Sequence, residues 1–402
     1  MATLVQFGAG NIGRSFVAQL FSRAGYAVTF VDVMDELVAR LNALGRYRVM
    51  IVDTRDEEIW VTPVNAVNGK QIEAVAEALA GADIAATSVG PNALPFLYPA
   101  IARGLQLRYA RHGLRPLDII LAENLRNAAA IVRAGLLPLL PGDFPLDAML
   151  GLVETSIGKM VPIMTEAQRR EDPLWVFAEA YNQLILDAKA FKNPIPAVPG
   201  LSPRENITAY VDRKLFVHNL GHAAVSYLGF LYDPALTCIW QVTEIPEVHD
   251  AAEAAMWESA RALIAAYPQE FSEENQRAHI ADLLRRFTNR VLGDTVFRVG
   301  RDLPRKLSRD DRIIGAMRFD QAHGVEYAAT ARVAAAALEF RARDEQGALS
   351  ASDAHFVETV YPGGVPAIAR TTCGLDNEIP AEAELIAAIA AAHDELLAVN
   401  SR

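Results

Sequence analysis

Two cysteines, Cys238 and Cys373, are all that the 402 residues contain, and they lie far apart with no Cys-x-x-Cys spacing. A disulfide scaffold or a cysteine zinc site is therefore not expected, and a reducing compartment is. Positive charge is short as well: 38 Lys and Arg stand against 49 Asp and Glu, a formal net charge of −11. Nucleic acid and anionic membrane both demand cationic surface, so neither is expected as a main partner. The longest apolar stretches, such as Ala328–Leu338 with Arg332 inside it, fall short of the ~20 residues of a membrane span. The opening Met-Ala-Thr-Leu-Val-Gln-Phe-Gly has neither a basic n-region nor an apolar h-region. No signal peptide is read there, and the expected location is the cytoplasm.

Half of the chain is apolar (51%) and about a fifth charged (22%), as in soluble globular proteins, and the length predicts two or three domains. Leu4 to Phe7 is an apolar run ending at glycines, and a helical pattern follows from about Ile12 to Ala24. Ala27 to Asp32 is a second β-rich run that stops on an acid, completing a βαβ pattern. Tyr47 to Val52 and Ile59 to Val64 read as two strands of a hairpin turned through Asp53 to Asp56. Further strands are expected at Ile84 to Ser88, Ile119 to Ala122 and Met149 to Glu154, with helices between them. Alternating strands and helices imply a mostly parallel sheet. Three prolines and a glycine in Lys192 to Gly200 read as a linker. Beyond it helical periodicity dominates: Asn206 to Leu228, Val248 to Ala266, Glu274 to Phe287, Arg309 to Ala322, Ala328 to Arg343 and Ala381 to Leu397. The expected architecture is an α/β, Rossmann-type doubly wound domain over residues 1–195, followed by a mostly helical domain over 196–402.

Gly8-Ala9-Gly10-Asn11-Ile12-Gly13 sits between the first strand and the first helix. In such a loop the first glycine permits the tight turn, the second admits a pyrophosphate, and the third lets helix and strand pack closely. The helix N-terminus offers free N–H groups to the phosphates. Asp32 is placed to accept from a ribose 2′-OH and to repel a 2′-phosphate, so the expected cofactor is NAD. Ser88-Val89-Gly90-Pro91 follows a later strand and either borders the nicotinamide or is an ordinary turn.

A hydride carrier needs a partner to manage the proton. The histidines offer one i,i+4 pair, His218 and His222, without the Glu of a His-Glu-x-x-His site, so no metal is expected. The segment Arg213-Lys214-Leu215-Phe216-Val217-His218-Asn219-Leu220-Gly221-His222 carries more. At about 100° per residue, Lys214, His218, His222 and Asn219 fall at roughly 0°, 40°, 80° and 140°, with Asn219 at the edge of that face. A lysine there, brought down from about 10.4 by burial or a cationic neighbour, takes the alcohol proton as hydride leaves. An asparagine amide stabilises the alkoxide in place of a metal. The alternative is an amphipathic helix with a solvated polar face.

Lys214-x₄-Asn219-x₂-His222, taken with Phe7 to Arg14, resembles the polyol-specific long-chain dehydrogenases. The similarity extends over nearly the whole chain, through Gly90-Pro91, Glu123-Asn124, Gly229, Arg298-Val299-Gly300-Arg301 and Arg305 to Ser308, to about Asp376. What the resemblance implies is zinc-independent chemistry with Lys214 as general base. It implies an oxyanion pair of Asn219 and Asn124, and His222 positioning substrate or lysine. It places the loop from Gly8 to Arg14 at the cofactor. His218 departs from the pattern, where an apolar residue is expected. Arg298 to Arg312 holds six basic residues against Asp302, Asp310 and Asp311. Arginine offers bidentate donors to phosphate, so Arg301, Arg305 and Lys306 are expected at a phosphorylated substrate. Arg309 to Arg312 reads as a helix start capped by Ser308. The reaction implied is reversible oxidation of D-mannitol 1-phosphate at C5 to D-fructose 6-phosphate with NAD. The alternatives are a dehydrogenase of a free polyol or a sugar acid, of the mannitol 2-dehydrogenase or altronate type, and an NAD-binding sensor without turnover. The partner expected is the small sugar phosphate, and a monomer is compatible with the sequence.

Overall fold

The structure, a computed structural model, describes residues 1–53, 56–162, 164 and 166–400. Its chain forms two compact units, Met1–Val211 and Asp212–Arg402.

The first unit is built on an eight-stranded sheet. With strands numbered along the chain, β1 (Thr3–Phe7), β2 (Ala27–Asp32), β3 (Tyr47–Val52), β4 (Asp56–Val61), β5 (Val64–Asn68), β6 (Ile84–Thr87), β7 (Leu117–Leu121), β8 (Leu150–Ser156), β9 (Val176–Ala178), β10 (Leu184–Asp187) and β11 (Leu201–Arg204), the order is β11-β10-β8-β7-β6-β1-β2-β5. All neighbours run parallel except β10 with β8. The central strands read as continuous apolar runs because helices cover both faces. One layer packs Phe16, Phe21 and Leu41 on the sheet, and the other packs Val75, Ile101, Leu105 and Val132. The chain proceeds from β1 to β2 and β5 on one side, then crosses to β6 on the other. That reversal opens a crevice at the carboxyl ends of β1 and β6, the place where ligands bind in open α/β sheets.

Two sequence expectations shift. The hairpin pairs Tyr47–Val52 with Asp56–Val61 rather than with Ile59 to Val64, since Pro63, which has no N–H to give a ladder, separates β4 from β5, which joins the main sheet beside β2. Thr54 and Arg55 of its turn lie outside the described residues. The proline-rich stretch leads back into the fold: β11 pairs with β10, and the sheet unit runs past the expected boundary at 195 to Val211.

The second unit is helical. Pro246–Ala266 packs against Leu220–Tyr232 and Ala328–Leu338, and Ala328–Leu338 packs on Pro380–Asn400. Alanines at 334–337 are fully buried there, so the Ala-rich texture serves close helix packing. The expected helix from Arg309 begins only at Ile314, with Ile313 rather than Ser308 at its cap. Asp311 is turned to Arg305 and Arg312, so the preceding residues form turns. No helix among the described residues is long and apolar enough to cross a membrane.

Candidate functional site

At the end of β1 the backbone turns at Gly8 with φ +87°, and its N–H donates to Val31 O at 2.8 Å. A Cβ on Gly13 would lie 2.1 Å from Gly8 O, so the helix approaches the strand as closely as glycine allows. At Gly10 the space a Cβ would fill is open, with nothing within 4 Å. This is the approach a pyrophosphate needs. Ala9 is fully buried, Ile12 packs into the core, and Asn11 is exposed at the helix start. A groove of about 590 Å³ runs along this edge, lined by Gly8, Gly10, Asp32, Val33, Lys70, Ile72, Ser88, Val89 and Phe96 among others.

Asp32 is anchored at both oxygens: Ala9 N–H donates to Oδ2 at 2.8 Å and Met34 N–H to Oδ1 at 3.0 Å. The acid that closes β2 thus braces the glycine loop. Arg14 is buried and turned inward, its Nε donating to Ala9 O at 2.6 Å and Nη1 to Leu174 O at 2.8 Å. It fixes the loop from behind. Ser88 Oγ accepts from Gln6 Nε2 at 3.0 Å, beside the Gly13 contact. The next turn is held by a residue that enters the sequence resemblance without a role of its own. Glu123, buried at the end of β7, accepts from Val89 N–H at 3.0 Å and Gly90 N–H at 2.8 Å. Asn124 follows it at the same carboxyl edge of the sheet.

In the helical unit, the expected helix contains a π-turn over Lys214–Asn219 before it continues as Leu220–Tyr232. A π-turn closes i→i+5, so Asn219 comes beneath Lys214 instead of standing at the edge of the face. Burial, aided by the Arg312 guanidinium, brings Lys214 down to about 8. His218 is buried against Phe287, with ring centroids 6.0 Å apart, and its burial among Arg286, His222 and Lys214 keeps it neutral. His222 stacks on Phe287 at 4.8 Å and 12°. Burial, then Arg298, Arg312, Lys306 and Arg286, push it down to about 3.

The residues expected at a phosphate take different places. Arg301 is exposed, with its guanidinium 5.8 Å from the Phe297 ring. Arg305 is engaged by Asp302 at 2.5 Å and Asp311 at 3.1 Å. Lys306 is buried and donates to the main-chain carbonyls of Val299 (2.5 Å) and Arg301; burial, then Arg312, lowers it to about 7. Arg309 pairs with Glu382. The charges that reach the helix of Lys214 are Arg286, Arg298, Lys306 and Arg312. All but Arg286 lie in the basic segment that the sequence flags. One group with metal-ligand reach occurs among the described residues, His249, Asp250 and Glu253, of which Asp250 is exposed.

The family models described as "Mannitol dehydrogenase Rossmann domain" and "Mannitol dehydrogenase C-terminal domain" match residues 2–200 and 206–396. The chain belongs to the mannitol dehydrogenase family. Within it, the chain is 34% identical over 352 residues to a mannitol-1-phosphate 5-dehydrogenase of Brevibacillus brevis, covering 87% of this chain and 89% of that one. It is 33% identical over 377 residues to the protein of the same name from Bacillus licheniformis, covering 93% and 96%. The fold is that of the solved substrate-free D-sorbitol dehydrogenase, with a TM-score of 0.77 at 16% identity over 97% of this chain and 92% of that one. As a member of this family the protein is an oxidoreductase, a polyol dehydrogenase with NAD as cofactor. The open approach at Gly10, the groove and the Asp32 carboxylate fit that cofactor.

Proposed function

We propose that this dehydrogenase interconverts D-mannitol 1-phosphate and D-fructose 6-phosphate without a metal, with Lys214 as the general base. NAD, when bound, supplies the hydride acceptor. The observation that carries the reading is Lys214 itself: a lysine lowered to about 8 by burial and Arg312 is in part neutral at physiological pH. It can take the proton of a substrate hydroxyl at Nζ and return it in the reverse direction. Asn219, brought under Lys214 by the π-turn, offers its amide N–H to the oxygen that loses the proton. Asn124 is proposed for the same task, as the resemblance implies. Asp32 accepts from the adenosine ribose while holding the loop from Gly8 to Arg14 in shape.

The preference for a phosphorylated substrate is supported by the names of the two relatives and by the arginines around the active-site helix. Arg298 and Arg312 are the better candidates for the phosphate, together with the exposed Arg301. Lys306 and Arg305 hold the loop that carries them. The test is NADH oxidation with fructose 6-phosphate, fructose and a keto-sugar acid side by side, in the presence of a strong chelator. The expected result is a kcat/KM for fructose 6-phosphate at least a hundredfold above the others, unchanged by the chelator. Preference for an unphosphorylated substrate would sink the substrate assignment, and loss restored by zinc would sink the metal-free mechanism.

A further inference from the structure

Asp294 lies outside every motif that identifies the family, yet its surroundings are those of a built site. Its main chain is fixed on both sides: its carbonyl accepts from Ile239 N–H at 2.9 Å, and Thr295 forms an isolated antiparallel bridge with Cys238. The side chain is 7% exposed. One carboxylate oxygen takes the Arg298 guanidinium, and the other lies 3.4 Å from Nε2 of His222. That nitrogen is buried and has no hydrogen-bond partner in this conformation, so the carboxylate is the group it faces. The imidazole lies flat on Phe287, which fixes the plane of the ring.

These contacts dictate a tautomer. Burial first, and then Arg298, Arg312, Lys306 and Arg286, keep the imidazole from taking a second proton. A neutral ring has one N–H and one lone pair. A lone pair 3.4 Å from a carboxylate is repelled and an N–H is attracted, so the proton resides on Nε2 and Nδ1 is left as an acceptor. The helix then says what that acceptor meets. Lys214 and His222 are eight residues apart, about 12 Å along the axis at 1.5 Å per residue and somewhat less through the π-turn. Both side chains lean towards the helix N-terminus, so that separation carries over to their tips. A ligand chain that meets Lys214 at one hydroxyl therefore meets His222 at another.

We propose that Asp294 is a positioning residue that holds His222 in its Nε2–H tautomer, so that Nδ1 accepts from a polyol hydroxyl remote from the carbon being oxidised. The proposal rests on the reading of Lys214 as the base, which sets the reacting end. It assigns the histidine to binding of the polyol chain, and leaves proton transfer to the lysine.

The test begins with the full-length protein and ¹⁵N-labelled histidine, the His222 resonances being identified by their loss in His222→Phe. The Nε2–H pattern is expected in the wild type, and a shift towards the Nδ1–H form in Asp294→Asn, whose amide can donate to Nε2. Kinetics follow with the substrate that the comparison above selects. Asp294→Asn is expected to raise its KM tenfold or more, with kcat within threefold and the KM for NAD unchanged. In a His222→Phe background the same substitution is expected to change KM no further. An Nδ1–H tautomer in the wild type would overturn the proposal, as would an equal KM increase in the His222→Phe background. Should Asp294→Asn fail to fold, the wild-type tautomer decides alone. The tautomer is read without substrate, so it stands or falls independently of whether mannitol 1-phosphate is turned over.

Discussion

The Asp32 carboxylate closes on the amide of Ala9 at 2.8 Å, so the acid proposed for the cofactor ribose is also the pin that shapes the glycine loop. The second oxygen holds Met34 N–H at 3.0 Å. Hydrogen bonds to a charged group contribute about 1.5–3 kcal/mol each, and 1.4 kcal/mol is tenfold in an equilibrium constant. Asp32→Ala is therefore expected to weaken NAD ~10–100-fold. NADP should weaken less, because the repulsion of its 2′-phosphate goes with the carboxylate. Dissociation constants of NADH and NADPH, measured by fluorescence, check this; an unchanged NADH/NADPH ratio would refute it.

Glu123 plays the matching part on the neighbouring turn, where it accepts from Val89 and Gly90. In Glu123→Gln an amide NH₂ replaces one acceptor and faces a backbone N–H, inside a buried pocket. About 2 kcal/mol of stability should be lost, and the KM for NAD should rise several-fold as the turn loosens. Thermal unfolding and cofactor titration report the two effects separately. A lower Tm with an unaltered KM would assign Glu123 to the fold alone.

The lysine gives a signed pH dependence. Its pKa falls from 10.5 to about 8, so the neutral base prevails above about pH 8 and the ammonium below it. Polyol oxidation needs the base: its kcat/KM is expected to rise about tenfold per pH unit below 8 and to level above. Ketone reduction needs the acid and is expected to decline above the same pH. Burial is the larger cause of the shift and Arg312 the second. Arg312→Gln removes a like charge and should move both limbs towards higher pH without restoring 10.5. Limbs near 10 in the wild type would contradict the lowering of Lys214 by burial and Arg312.

Much of the fold is legible in the sequence because its signals are local. The glycine loop, β1 and the acid ending β2 arrive in order within the first 32 residues, and the long helices after residue 206 follow a 3.6 period. What escapes is set by tertiary context. A proline at 63 divides a run of strand formers into β4 and β5, which belong to different sheets. Periodicity assumes 100° per residue, so the π-turn that draws Asn219 under Lys214 leaves no trace in it. Six basic residues in a row of fifteen mark a segment, but spacing does not say which of them face the lysine and the histidines. Lys306 and Arg305 turn to backbone and carboxylates, whereas Arg312 tunes the lysine and Arg286, from another helix, faces His218 and His222. Glu123 and Asp294 act through contacts far along the chain, which spacing alone does not disclose.

The central claim is that Lys214 moves the proton. The most direct measurement is Lys214→Ala, assayed for NADH binding by fluorescence and for fructose 6-phosphate-dependent NADH oxidation in the same preparation. NADH binding is expected to match the wild type, since the dinucleotide groove at the glycine loop is lined entirely by residues 8–97 of the sheet unit. Turnover is expected to fall by about 10²–10⁴-fold, the usual contribution of a positioned acid–base group. Turnover within tenfold of wild type at unchanged NADH affinity would contradict the account.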